Sequence, residues 1–406
     1  MYKIQPQKIQ EKSYKNIANL PDQRVIIRSC LNVTVDKDGR VTDATRLNES
    51  LPLIQELAGK AQNLVIMAHL GRPKERSQDT SFWHLAQLLG VELEKQGVSL
   101  KLISDLTDSA LEEIKNNQDS KQVFLLENIR YFEGEDSKDA AHRFAFANTL
   151  ASLGTVFIND AFADYRESAS SYDIAKLLPS FLGPVFIREV EALSKFNNPE
   201  KPFIAVLGGA KLSEKLDALK SLLEIADKVI VGGAMAYTLL KAEGKEIGNS
   251  LFELDKLEVA KEIISKYKSK LVLPVDHLVC DIFNEESALN SIVIDQQEIP
   301  NGKIAIDLGP DSIALFKDEL SKAKSILWNG PMGVSEWEVS SKGTTAMGSA
   351  ISSNLDAYIL AGGGDSIAAI NKFGLTGFDH VSTGGGAMLA FLAYDKFPIL
   401  DVIVEK

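Results

Sequence analysis

The chain of 406 residues predicts an α/β fold: two doubly wound parallel-sheet (Rossmann-like) domains joined by an inter-domain helix, with a cleft between them. Three observations carry this expectation. Short apolar runs rich in Val, Ile, Leu and Phe alternate with helical patterns along the chain, the rhythm of parallel sheets covered by helices on both faces. The length suits two sheets of about six strands better than one of twelve. A segment marked by proline and glycine, LLPSFLGPVFIREVEALSKFNNPEKP (177–202), divides the alternation in two.

In the first half the strand candidates are RVIIRSCLN (24–32), NLVIMAHL (63–70), VSLKLIS (98–104), QVFLLENIR (122–130) and TVFINDAF (155–162). Helix candidates between them include 81–97, with an apolar stripe, and 137–154, which opens after acidic residues and stops at a glycine. In the second half the runs are PFIAVLGG (202–209), KVIVGGA (228–234), KLVLPVDH (270–277), KIAIDLGP (303–310), SILWNGP (325–331) and AYILAGGGD (357–365). Helical patterns cover 213–228 and 366–373, and 186–196 reads as the helix joining the halves.

Composition narrows the function. Apolar residues make up 45% and charged residues 25%, with a net charge of −12. A dedicated nucleic-acid or membrane-surface binder needs a basic face, so neither is expected. No apolar run is long enough to span a bilayer, and two cysteines make no disulfide framework, so a cytoplasmic setting is expected. All ten arginines lie between Arg24 and Arg188, whereas twenty of the 28 glycines follow residue 188. That asymmetry is either compositional drift or the mark of two different sites.

Open parallel sheets bind ligands beyond the carboxyl ends of their strands. In the first half those positions hold Asn32, His69 with Arg72, Asn128 with Arg130, and Asn159, Asp160 and Arg166, with Arg46 in TDATRL. Several guanidinium forks at one rim describe a pocket for a small polyanion. In the second half the same positions carry Gly208-Gly209, Gly232-Gly233, Gly330 and Gly362-Gly363-Gly364. Glycine turns that open helices present free N–H groups to phosphate. Lys211 and Lys215, spaced i, i+4, are expected on one side of a helix start. Asp365 suits either a helix N-cap or a Mg²⁺ ligand. P-loop, dinucleotide, zinc and nucleophile-elbow motifs are all absent.

These residues fall within motifs that resemble phosphoglycerate kinase over essentially the whole chain: TDATRL (42–47), HLGRP (69–73), LLENIR (125–130), NDAF (159–162), GGAKLSEK (208–215), VGGAMAYT (231–238), WNGPMGVSEWE (328–338), GGGD (362–365) and HVSTGGGA (380–387). The resemblance implies reversible phosphoryl transfer between 1,3-bisphosphoglycerate and ADP, giving 3-phosphoglycerate and MgATP. It implies Arg46, Lys211 and Gly364 as catalytic groups, and Cys30, Asn32, Arg46, His69, Arg72, Arg130 and Arg166 at the acid substrate. For the nucleotide it implies Gly209, Lys211, Lys215, Gly232, Gly233, Leu251, Ile306, Asn329, Val334, Glu336, Gly363, Gly364, Asp365 and Ser366. Asp365 is the implied Mg²⁺ ligand, and a monomer is the implied state. The implied division is a phosphoglycerate domain at 1–182, a hinge helix at 183–200 and a nucleotide domain at 201–390. The tail, about 391–406, resembles the segment that packs back on the first domain. The two halves are expected to close over the reactants.

Two departures bear on the acid substrate. Cys30 stands where the family has a substrate-binding aspartate. The segment ADYRESASS (163–171) is one residue short against the family pattern and keeps Arg166 but neither histidine. A thiol is a weak acceptor, and loss of a charged acceptor costs about 1.5–3 kcal/mol of binding. On sequence alone, Cys30→Asp is expected to lower the Michaelis constant for 3-phosphoglycerate. The alternative is a divergent nucleotide-binding member with weakened or changed acid specificity.

Overall fold

In the computed structural model residues 1–405 are described. The strands are β1 (Arg24–Arg28), β2 (Thr34–Val35), β3 (Val41–Asp43), β4 (Asn63–Met67), β5 (Ser99–Ile103), β6 (Gln122–Leu126), β7 (Val156–Asn159) and β8 (Ser180–Leu182). They continue as β9 (Phe203–Leu207), β10 (Lys228–Val231), β11 (Leu271–Val272), β12 (His277–Cys280), β13 (Ile292–Ile294), β14 (Ile304–Leu308), β15 (Ser325–Asn329), β16 (Tyr358–Gly362) and β17 (His380–Ser382). The chain forms two compact units. An N-terminal unit holds Ile4–Glu191 and the chain from Lys396, and a C-terminal unit holds Ala192–Asp395 with Met1–Lys3. The division falls within the helix Pro184–Ser194.

In the N-terminal unit six parallel strands run in the order β5-β6-β4-β1-β7-β8. β4 is buried along its whole length and β1 along all but its first residue, which is why both read as unbroken apolar runs. Val25, Ile27, Leu64, Ile66, Val123, Leu125 and Ile158 form its core with Leu53, Leu85 and Leu89 from two covering helices. Arg28 pairs in register with Met67 of β4 and Asn159 of β7. The chain segments leaving β1, β4 and β7 therefore start side by side at one edge.

The C-terminal unit has its own six-stranded parallel sheet, β11-β10-β9-β15-β16-β17. Its core joins Ile204, Val206, Ile230, Ile326 and Trp328 to Phe316, Leu320, Met347 and Ile351 of two helices. The order β10-β9-β15-β16 sets four glycine turns next to one another.

Both sheets have six strands, and five of each come from the apolar runs. The run at 303–310 forms β14, which lies antiparallel to β12 in a separate three-stranded sheet with β13. The sixth places are taken by β8 and β17, each three residues long and too short to show a period. Helices expected at 81–97, 137–154 and 213–228 are Trp83–Glu94, Ala140–Ala151 and Leu216–Ile225. The helix Gly386–Ala393 packs against Leu216–Ile225. The return segment carries Phe397, which stacks on Phe162 at 5.4 Å, and the helix Pro398–Val404.

Candidate active site

The carboxyl edge of the N-terminal sheet is a set of interlocked loops. The Asn32 Oδ1 accepts from the Gly71 amide at 2.8 Å, tying the end of β1 to the turn after β4. Arg130 Nη1 donates to the Gly71 carbonyl at 2.7 Å, and Asn128 Nδ2 to the Leu70 carbonyl at 2.7 Å. Arg46 Nη1 donates to the Asn32 carbonyl at 2.7 Å. The structure thus brings Asn32, Arg46, His69 and Arg130 to one edge. Arg72 and Arg166 are exposed, and the Arg166 guanidinium lies 5.8 Å from the Tyr165 ring centre.

Beneath these groups lies a buried charge cluster. Arg28, 1% exposed, donates from Nε to Ser170 Oγ at 2.9 Å and from Nη1 to the Ser29 carbonyl at 3.0 Å. Its Nη2 pairs with Asp164 Oδ2 at 2.8 Å and lies 3.0 Å from His69 Nδ1. His69 Nδ1 is also 3.1 Å from the same carboxylate oxygen. Burial alone would raise the Asp164 carboxyl, but Arg28 and then His69 hold it well below the usual carboxylate range. Burial lowers His69 against the pull of Asp164, favouring a neutral ring. Ser170 Oγ passes the chain on to Glu135 Oε1 at 2.6 Å, and burial pushes the Glu135 carboxyl up to about 7. Burial also pushes the Cys30 thiol up to about 12, so at neutral pH it is neutral.

In the C-terminal unit a cavity of about 540 Å³ opens beside the glycine turns. Gly209, Gly233, Leu251, Ile306, Val334, Glu336 and Asp365 line it, together with Tyr237, Asn249, Phe283 and Met332. Most of that lining is apolar, with carboxylates at Glu336, Asp365 and Asp307, which suits a flat base held by contact and oriented by few polar groups. Gly232 lies against the Met332 sulfur, where a Cβ would be 2.5 Å away. At Gly233, φ is +66° and a Cβ would sit 2.5 Å from the Gly209 amide nitrogen, so only glycine lets these two turns touch. Gly363 has φ +98° and abuts Asn329, whose Nδ2 donates to the Gly362 carbonyl at 2.7 Å. Ser366 Oγ accepts from the Gly330 amide at 2.6 Å, locking the helix Gly364–Lys372 to the turn after β15. Gly364 and Asp365 are exposed at that helix start, and a Cβ on Gly364 would meet nothing within 4 Å.

Lys215 does not lie on a helix face with Lys211. The segment 211–215 is a turn, and Lys215 caps the helix Leu216–Ile225. Its Nζ donates to the Gly208 carbonyl at 2.5 Å and the Asn329 carbonyl at 3.0 Å. Burial lowers its amine to about 8, against the opposing field of Asp365. Lys211 is exposed, 3.5 Å from Glu214. The i, i+4 reading fails because Gly208-Gly209 leaves the strand in a φ +120° turn that delays the helix. Sequence reasoning also passed over Arg28, Asp164, Asn249 and Phe283. Arg28 sits inside a strand rather than after it, and Phe283 belongs to a loop with no periodic signal.

The phosphoglycerate kinase family model matches residues 15–394. Phosphoglycerate kinase of Koribacter versatilis is 40% identical over 398 residues, covering 95% of this chain and 98% of that protein. That of Macrococcus caseolyticus is 38% identical, covering 95% and 98%. Among solved structures, phosphoglycerate kinase from Coxiella burnetii superposes with a TM-score of 0.83 at 36% identity, covering 97% of this chain and 98% of its own. The enzyme from Pyrococcus horikoshii gives 0.81 at 30%, covering 96% and 98%. A glycine-framed cavity in one unit and an arginine-bearing edge in the other, on a chain similar throughout its length to these enzymes, lead to one conclusion: the chain belongs to the phosphoglycerate kinase family.

Proposed function

We propose that the chain transfers a phosphoryl group reversibly between the terminal phosphate of ATP and the carboxylate of 3-phosphoglycerate, through the residues described above. The observation that carries the reading is the C-terminal cavity, where apolar walls end at Asp365, at the exposed start of the helix Gly364–Lys372, and at Gly209, against which the Lys215 amine lies. The base would lie among Leu251, Ile306 and Val334, with Glu336 at the ribose. The Gly209, Gly363 and Gly364 turns, with Ser366 fixing the helix, would meet the phosphates. Asn329 holds the turn in place.

One exposed carboxylate at this rim fits a hydrated Mg²⁺ that arrives with the nucleotide, since Mg²⁺ keeps several waters and takes few protein ligands. Asp365 would hold it, and its charge would offset that of the phosphates. The acceptor carboxylate is already ionised at neutral pH, so no general base is needed. The protein's task is positioning and charge stabilisation. Arg46 and Lys211 would face the transferring group, and Arg72, Arg130 and Arg166 the phosphate that stays. Arg72, Arg166 and Lys211 are exposed, and Arg46 and Arg130 are half-buried and tied to loop carbonyls at the same edge.

The chain is expected to act as a cytoplasmic monomer on small molecules. Among the described residues no helix is long and apolar enough to cross a membrane. The test is direct. Purified protein with MgATP should form ADP only when 3-phosphoglycerate is added, and Arg46→Ala should cut kcat by at least about 100-fold. No ADP at millimolar 3-phosphoglycerate would overturn the proposal.

A further inference from the structure

Position 30 poses a chemical problem that the structure answers from another loop. A 2-hydroxy acid offers one neutral donor, its hydroxyl, and a buried cationic pocket must supply an acceptor for it. Cys30 cannot. Its thiol is neutral, a weak acceptor, and buried at 5% exposure. Arg28, two residues before Cys30, brings a carboxylate from another loop to this edge: its Nη2 pairs with Asp164 Oδ2 at 2.8 Å, and the field of that carboxylate reaches the thiol.

That carboxylate belongs to the short segment following β7. Asp164 is held at the sheet edge by Arg28 Nη2 at 2.8 Å and His69 Nδ1 at 3.1 Å, both on Oδ2. A carboxylate has about four lone-pair directions, so these two contacts leave Oδ1 as acceptor capacity. The side chain is 10% exposed, and His69 beside it 6%, so the cluster is not sealed from the edge where the acid would sit.

We propose that Asp164 supplies the acceptor that Cys30 lacks: it receives the hydrogen bond of the acid substrate's 2-hydroxyl, presented by Arg28 and His69, and so sets selectivity for 2-hydroxy acids. The inference rests on the activity proposed above. It reverses the expectation for Cys30→Asp, because a second carboxylate would now be placed beside the first, and like charges repel there.

The test uses the full-length protein with 3-phosphoglycerate and with 3-phosphonooxypropanoate, the analogue lacking the hydroxyl. Wild type should prefer the hydroxy acid by at least about 10-fold in kcat/KM. Asp164→Asn should raise the KM for 3-phosphoglycerate about 10- to 100-fold, leave the KM for ATP within about two-fold, and erase the preference. Cys30→Asp alone should raise KM. The double variant C30D/D164N, with one carboxylate back at the pocket, should recover most of the preference. A wild type without preference, an Asp164→Asn enzyme that keeps it, or a double variant no better than Asp164→Asn would overturn the assignment. A merely structural counter-ion would lower stability without moving the hydroxyl preference. Should thermal unfolding show Asp164→Asn unfolded, the double variant decides: preference kept supports the assignment, preference lost overturns it. Loss of all activity in wild type would instead count against the proposed function.

Discussion

Lys215, half-buried, is held by two backbone carbonyls, Gly208 at 2.5 Å and Asn329 at 3.0 Å. Burial brings its amine down to about 8, so near that pH the free protein holds it about half protonated. A nucleotide phosphate beside it favours the ammonium. Binding of ADP at pH 8 should therefore take up about half a proton, seen as a buffer-dependent heat in calorimetry. Lys215→Arg keeps the charge at all relevant pH and should bind ADP without that uptake. Equal buffer dependence in the two proteins would rule out Lys215 as the phosphate contact. The lysine was legible in the sequence as a cation after a glycine turn. Its burial was not, because one of the carbonyls that hold it, that of Asn329, lies 114 residues further along the chain.

At the scale of elements, what the sequence shows best is what a strand's own period can carry. β1, β4, β6 and β9 are buried runs and read directly. The exchange of β14 for β17 and the addition of β8 could not be read, since sheet membership depends on partners distant in sequence. The candidate site follows the same rule: residues just after strands were legible, whereas Arg28 and Asp164 meet only because β1, β4 and β7 are neighbours. The junction of β8 with the helix Pro184–Ser194 makes a testable case. Asp160 Oδ1 accepts from the Val185 amide at 2.8 Å and the Phe186 amide at 3.4 Å, capping that helix start. Burial nevertheless pushes its carboxyl up to about 8. A folded value above the unfolded one means the native state keeps a proton that the unfolded chain releases. Its contribution to stability therefore falls as pH rises from about 4 to about 8. Asp160→Asn keeps the acceptor oxygen and removes the titration. Wild type should lose ground to this variant in urea unfolding between pH 5 and pH 8, by at most about 1.4 kcal/mol per unit. Asp160→Ala should lose about 1 kcal/mol of capping at every pH. A pH-independent gap between wild type and Asp160→Asn would mean that the carboxylate stays ionised.

For the whole molecule, the net charge of −12 opposes both substrates, which are anions. The proposed site would meet that opposition locally. Arg46, Arg72, Arg130 and Arg166 belong to one unit, with Arg46 and Arg130 fixed by loop carbonyls and Arg72 and Arg166 exposed. The two fields respond differently to salt. The global field acts over tens of ångströms and is already mostly screened at 0.1 M, where the Debye length is about 10 Å. The local attraction acts at contact and persists until the ionic strength is higher. If the arginines dominate, the KM for 3-phosphoglycerate should rise several-fold between about 0.05 and 0.5 M salt. If the global charge dominates, it should fall instead as repulsion is screened. We expect the rise. Arg166→Ala removes one exposed cation and should both raise KM at low salt and flatten its dependence on ionic strength. A variant with the wild-type slope would show that Arg166 lies outside the field the substrate feels.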